Sequence, residues 1–193
     1  MAKLYFRYGA MNCGKSIALL TVAHNYEEKN KKVIIIKSSI DTKADDRIQT
    51  RVGLERKVDI LLDPKEEIKT FSSKLKDVSC ILVDEAQFLT EKQVEELWIV
   101  TKKMNIPVIC YGLRTNFKTK AFTGSLRLFE LADELEELIT ICDCGKRAKF
   151  NARFVNGKFA TKGDSILIDG KNNKVEYRPM CGTCYINNKY KEN

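Results

Sequence analysis

An α/β fold built on a parallel sheet is predicted for this chain by two features: short, continuously apolar runs recur, and amphipathic segments of helical period separate them. Runs of that kind suit strands buried on both faces of a parallel sheet, and their alternation with helices implies right-handed crossovers that leave helices on both faces. A third feature narrows the class. The first run, at residues 4–8, leads into GAMNCGKS, in which Gly9, Gly14, Lys15 and Ser16 stand at the spacing GxxxxGK[ST]. Glycines at those positions let successive backbone N–H groups point inward at phosphate oxygens, and the following helix adds its positive end. Lys15 then reaches the β- and γ-phosphates of a nucleotide, and Ser16 ligates Mg²⁺.

The remaining elements follow in chain order. Residues 15–29 read as a helix with Ile17, Leu20, Thr21 and His24 on its apolar stripe, so the lone histidine is expected to pack rather than react. A strand is expected at 33–37, then a polar loop over 38–57. An amphipathic helix at 64–77 precedes the run Cys80-Ile-Leu-Val83, which ends in Asp84 and Glu85 and is read as the strand beside the phosphate loop. An acid at the carboxyl end of such a strand holds Mg²⁺, the role given to Asp84. Glu85, left free of the metal, can accept a proton from an attacking oxygen. A helix over 91–104, with Val94, Leu97, Trp98, Thr101 and Met104 on one stripe, a strand at 107–111, a helix at about 124–133 and a strand at 138–142 complete the domain, residues 1–141.

Beyond Cys142 the texture changes to short alternating segments, at 164–168 and 174–177, separated by NGK and DGKNN, which are hairpin signals. Residues 142–193 are therefore read as a small β-rich module. It carries Cys142-x-Cys144 and Cys181-x-x-Cys184, each pair next to a glycine. Four thiolates from two knuckles match a structural Zn²⁺ site, which would supply folding energy that so short a segment cannot obtain from burial.

Composition sets outer limits. The chain has 193 residues, enough for one substantial core and a small appendage. No apolar run approaches the roughly 18 residues of a membrane span, and the N-terminus lacks the pattern of a secretory leader. Seven cysteines, an odd number, suit a reducing compartment better than a disulfide framework, so a soluble cytoplasmic protein without membrane partners is expected. The net charge of +8 falls mostly in residues 142–193 and decides nothing alone. The phosphate loop and acid pair also suit a nucleic-acid-stimulated ATPase that grips DNA with its basic module. A translocating motor needs a second lobe or a ring, however, and no second lobe fits in this length. A non-catalytic zinc module on a nucleotide-binding scaffold would leave Glu85 without a task.

Together GAMNCGKS, DEAQF (84–88), YGLRTNFKTKAF (111–122) and the four cysteines resemble the thymidine kinases of the zinc-containing, RecA-like group, most closely the enterobacterial branch, over essentially the whole chain. The resemblance implies that Gly9, Ala10, Met11, Asn12, Cys13, Gly14, Lys15, Ser16, Asp84 and Gln87 contact ATP, and that Glu85 deprotonates the 5′-hydroxyl of thymidine. It further implies a thymine pocket of Met11, Phe88, Leu113, Phe117 and Phe122. Over this a lasso closes, in which Ser165, Ile166, Leu167, Ile168 and Asp169 offer main-chain contacts while Tyr177 and Arg153 face the nucleoside. It implies acceptance of deoxyuridine, thymidine triphosphate as feedback inhibitor, homodimers or homotetramers, and no nucleic-acid partner. One departure stands out: the family's Asp-x-Arg reads Asp41-Thr42-Lys43 here, so Lys43, Arg47 and Arg51 compete for the phosphate-facing position.

Overall fold

The apolar runs become strands in a computed structural model that describes residues 1–41, 46–164 and 174–191. In order these are β1 (Leu4–Gly9), α1 (Lys15–Glu27), β2 (Lys32–Ser38), β3 (Arg47–Gln49), β4 (Glu55–Lys57), β5 (Ile60–Leu62), β6 (Val78–Asp84), α2 (Glu91–Lys103), β7 (Val108–Leu113), α3 (Thr123–Leu131) and β8 (Glu134–Leu138). A 3-10 helix, Ile68–Leu75, lies before β6. Strands β5-β2-β6-β7-β1-β8 form one sheet in that order, and every neighbouring pair is parallel.

Two cores cover the sheet because each central strand sends alternate side chains to opposite faces. Ile34, Ile36, Ile81, Val83, Val108 and Cys110 face Val94, Leu97 and Val100 of α2 and Leu128 of α3. On the other face Val33, Ile35, Leu82, Ile109 and Tyr111 meet Leu19 and Ala23 of α1. Each Val, Leu or Ile among them stabilises the fold by about 1.5–3 kcal/mol on burial. No helix among the described residues is long and apolar enough to cross a membrane.

Several expectations change. The buried face of α1 is Lys15, Leu19 and Ala23; Ile17 and Thr21 are exposed, and His24 is two-thirds exposed beside Glu28 at 3.3 Å. Apolar residues occupy almost every side of this helix, so periodicity alone does not select the face. On α2, Val100 is buried where Trp98 and Met104 were expected. The loop over 38–57 contains the antiparallel pair β3·β4, and the segment at 64–77 shortens to the 3-10 helix. The run at 138–142 divides. Leu138 ends β8, an edge strand whose Glu134, Glu136 and Glu137 suit an unpaired border, while Ile139 and Ile141 are exposed.

Beyond the sheet lie β9 (Thr140–Ile141), β10 (Arg147–Ala148), β11 (Phe150–Val155), β12 (Lys158–Phe159), β13 (Val175–Met180) and α4 (Gly182–Lys189). The NGK signal forms the β11·β12 hairpin, with Asn156 and Gly157 at φ 50° and 79°, as a two-residue turn of mirror-image type requires. The expected strand at 164–168 lies outside the described residues beyond Asp164, and α4 was not anticipated.

Candidate active site

The chain leaves β1 at Gly9, where a Cβ would stand 2.6 Å from the Leu138 carbonyl oxygen and closer still to the Cys13 sulfur, so only glycine passes there. Asn12 and Gly14 take left-handed backbone, φ 64° and 81°, and wind the loop into the first turn of α1. Lys15 opens that helix and is buried; its Nζ curls back to the Ala10 carbonyl at 3.0 Å, over the mouth of the loop. The N–H groups of the first turn and the Lys15 ammonium thus stand together at one end of a cleft, a setting suited to an anion.

Asp84 ends β6, but β7 stands between β6 and β1, so the acidic strand is not the phosphate loop's neighbour as expected. The loop crosses over β7 instead, bringing the Ser16 hydroxyl to 3.5 Å from Asp84 Oδ2. Burial, together with the adjacent Glu85 carboxylate, pushes the Asp84 pKa up to about 7. A buried carboxylate beside a hydroxyl is a donor set suited to a hard cation, which would restore its ionised form. Glu85 takes left-handed backbone, φ 50°, uncommon for a residue with a side chain. Its carboxylate accepts from Gln87 Nε2, while Gln87 Oε1 accepts from Leu113 N at 2.9 Å. Gln87 is 2% exposed with both ends of its amide engaged, tying the acid to the end of β7, and it lines the same cleft as Gly14, Lys15 and Ser16.

This turn leans on α3 through Gly124, where a Cβ would come 2.6 Å from the Ala86 oxygen and 2.7 Å from that of Leu89. Gly124→Ala is therefore expected to destabilise by about 1–3 kcal/mol as overpacking. In a chain of this size that lowers Tm by several degrees, at about 2–4 °C per kcal/mol. A thermal scan checks this, and an unchanged Tm would mean that the turn yields freely.

From the loop a cleft of about 680 Å³ extends past Glu85 to an apolar end. Of the residues expected there, Met11, Phe88, Leu113, Phe117, Phe122 and Tyr177 all line it, with Phe88 and Phe122 edge to face at 5.7 Å. Arg153 does not. It is buried behind Phe117, with its guanidinium 3.5 Å from the centre of that ring and its N–H groups on the carbonyls of Lys162 and Asp164. Ser165 to Asp169 lie outside the described residues, as does Lys43. Of the remaining candidate cations, Arg47 pairs with Glu55 at 2.8 Å, and Arg51 borders the cleft. Asn151 was missed: buried in β11, it accepts from Met11 N at 2.7 Å and donates to the Thr115 carbonyl at 3.2 Å, joining the loop to the module. An asparagine among the aromatic and aliphatic residues of a strand that also carries Arg153 was its only signal.

The sulfurs of Cys142, Cys144, Cys181 and Cys184 all lie within 4.8 Å of one another. Gly145, at φ 81°, turns the tight Cys142–Lys146 knuckle, closed by Gly145 N to Cys142 O and Cys142 N to Lys146 O, both 2.8 Å. Although burial opposes it, backbone N–H groups of Cys144 and Cys181 draw the Cys142 thiol down to about 7, while the Cys144, Cys181 and Cys142 thiols push Cys184 up. Four sulfurs so crowded, the first easily ionised and another resisting, form a donor set compatible with tetrahedral Zn²⁺.

A glycine-wound anion loop opening a helix, an acid pair at a strand end and a cleft with an aromatic floor define an α/β nucleotide-binding enzyme of the phosphoryl-transfer class. Comparison with known proteins carries this further. The family model described as "Thymidine kinase" matches residues 2–185. A thymidine kinase of Francisella tularensis subsp. holarctica is 42% identical over 188 residues, 94% of this chain and 95% of that one. Those of Chromobacterium violaceum and Streptococcus pyogenes serotype M3 are each 41% identical, over 96% and 97% of this chain and 98% of theirs. The chain belongs to the thymidine kinase family.

Proposed function

We propose that the protein transfers the γ-phosphoryl group of ATP to the 5′-hydroxyl of thymidine, and of deoxyuridine, in the salvage of pyrimidine deoxynucleosides for DNA synthesis. The observation that carries this reading is the one cleft, about 680 Å³, that joins Lys15, Ser16 and Glu85 to Phe88, Phe117, Phe122 and Tyr177, a volume in the range of small-molecule sites.

Lys15 and the loop N–H groups hold the β- and γ-phosphates, and Ser16 and Asp84 hold the metal. Mg²⁺, when bound, neutralises charge on the phosphate oxygens. Glu85, kept in place by Gln87, accepts the 5′-hydroxyl proton as the O5′–Pγ bond forms and the bond from Pγ to the bridging oxygen breaks, releasing ADP. The aromatic and aliphatic wall takes the pyrimidine face, and Arg51, on the cleft border, is the cation for phosphate charge.

Residues 142–193 act as a lid unit held by Zn²⁺, with Ser165 to Asp169 reading the base edge by main-chain groups. Thymidine triphosphate, which joins the nucleoside to a triphosphate in one molecule, fits the same cleft as an inhibitor. Unpaired thiols in buried strands, Cys80 and Cys110, suit the cytoplasm. The family's tendency to dimers or tetramers is retained.

Incubation with Mg-ATP and, separately, thymidine, deoxyuridine, deoxycytidine and single-stranded DNA tests the reading. Formation of the monophosphates of thymidine and deoxyuridine is expected. Phosphate release stimulated by DNA, without nucleoside phosphorylation, would overturn it.

A further inference from the structure

Phe117 forms part of the cleft wall, is 1% exposed, and is gripped twice by the C-terminal module. Its carbonyl accepts from the hydroxyl of Tyr185, the residue after Cys184 on α4. One face of its ring carries the Arg153 guanidinium.

Neither grip is an ordinary packing contact. Arg153 is 2% exposed, and among the described residues no carboxylate pairs with it. Its charge is met by the Phe117 ring and by two carbonyls, Asp164 at 2.7 Å and Lys162 at 2.8 Å, while Nε has no partner among the described residues. Between those carbonyls Gly163 takes φ +110°, and a Cβ there would stand 2.6 Å from Nη2, so the segment is shaped around the guanidinium. A buried cation met, among the described residues, by a ring and two carbonyls rather than a carboxylate is a poor way to add stability, and an apolar side chain of equal volume would serve a core better. Its planar fork, in contrast, fixes the angle between an aromatic ring and a peptide segment, which a flexible ammonium does not. Tyr185 is buried against Phe150 and Phe159 on α4, the helix that Cys181 caps, so its hydroxyl is held in register with the cysteine cluster.

We propose that Arg153 and Tyr185 are positioning residues for nucleoside recognition: they set the ring of Phe117 from behind, and through them the cysteine-bearing module determines the shape of the cleft's apolar wall. Neither touches the nucleoside. The proposal rests on the reading of Phe117 as part of the thymidine pocket.

Steady-state kinetics on Tyr185→Phe, Arg153→Lys and Phe117→Ala tests it, with zinc content and Tm measured alongside. Tyr185→Phe removes one hydrogen bond and is expected to raise the thymidine KM about 3- to 10-fold, the range of a typical intramolecular hydrogen bond. The ATP KM and kcat should stay within about twofold of the original, a split that a general loss of stability would not give. Arg153→Lys keeps the charge but not the fork, and is expected to raise the thymidine KM likewise. An unchanged thymidine KM in both variants, or equal rises for thymidine and ATP, overturns the proposal while the pocket reading stands, provided Phe117→Ala still weakens thymidine. Should Phe117→Ala leave the thymidine KM unchanged, the pocket reading fails first and the proposal with it.

Discussion

Glu85→Gln is expected to lower thymidine phosphorylation by about 10²-fold or more, the scale of a lost general base, with ATP and thymidine binding nearly intact. The substitution isolates basicity from shape. Glutamine has the size of glutamate, and its carbonyl can still accept from Gln87 Nε2, so the left-handed turn at residue 85 and the tie to Leu113 are retained. Two carboxylates stand side by side here. Asp84, buried and facing Ser16, is the one a metal would claim. Glu85 lines the open cleft. Were the roles reversed, Glu85→Gln would raise the KM for Mg-ATP along with any loss in kcat. Were Glu85 only a helix-capping acid, turnover would hardly change. Steady-state kinetics with both substrates, together with ATP titration of the variant, separate the three cases, and undiminished turnover would remove Glu85 from the chemistry.

What the sequence disclosed follows from how local each feature is. Strands β2, β6 and β7 are buried on both faces, so their apolar runs are continuous and could be read directly. Gly9, Gly14 and Lys15 were legible because a loop that wraps an anion requires glycine and a cation at fixed offsets. Strand β8 was not legible, since a border strand exposed along one edge needs charge rather than apolar character, and Glu134, Glu136 and Glu137 read as surface. Strand β5 has three residues, too few to show a period. Sheet order also escaped, because nothing local tells that β7 inserts between β6 and β1. The ties that assemble the cleft are the least local of all: Asn151 meets Met11 across 140 residues, and Tyr185 meets Phe117 across 68. A polar residue in a strand, such as Asn151, or a tyrosine on a short helix, such as Tyr185, does not name its distant partner in the sequence.

Removal of the metal that the four cysteines are proposed to hold is expected to have the other large effect: chelation, or Cys181→Ser, should raise the thymidine KM by about tenfold or more and release the amide protection of β11 and β13. The module has little else to hold it. Its core is Ala148, Ala152, Phe154, Met180 and Tyr185 around two of the cysteines themselves, a small cluster for a segment of this length. With four sulfurs inside 4.8 Å, loss of the cation leaves thiols that repel as they ionise, and the knuckles at 142–146 and 181–184 separate. Consequences should then arrive in order. Tyr185 leaves the Phe117 carbonyl and Arg153 loses its segment, so nucleoside binding weakens first. Met11 N loses its acceptor, Asn151, only as β11 itself frays, so ATP binding should weaken less and later. Metal analysis under reducing conditions, hydrogen exchange and paired KM measurements follow this sequence. If β11 and β13 remain protected after the metal is gone, the few apolar side chains suffice alone, and the cluster has some task other than holding the module together.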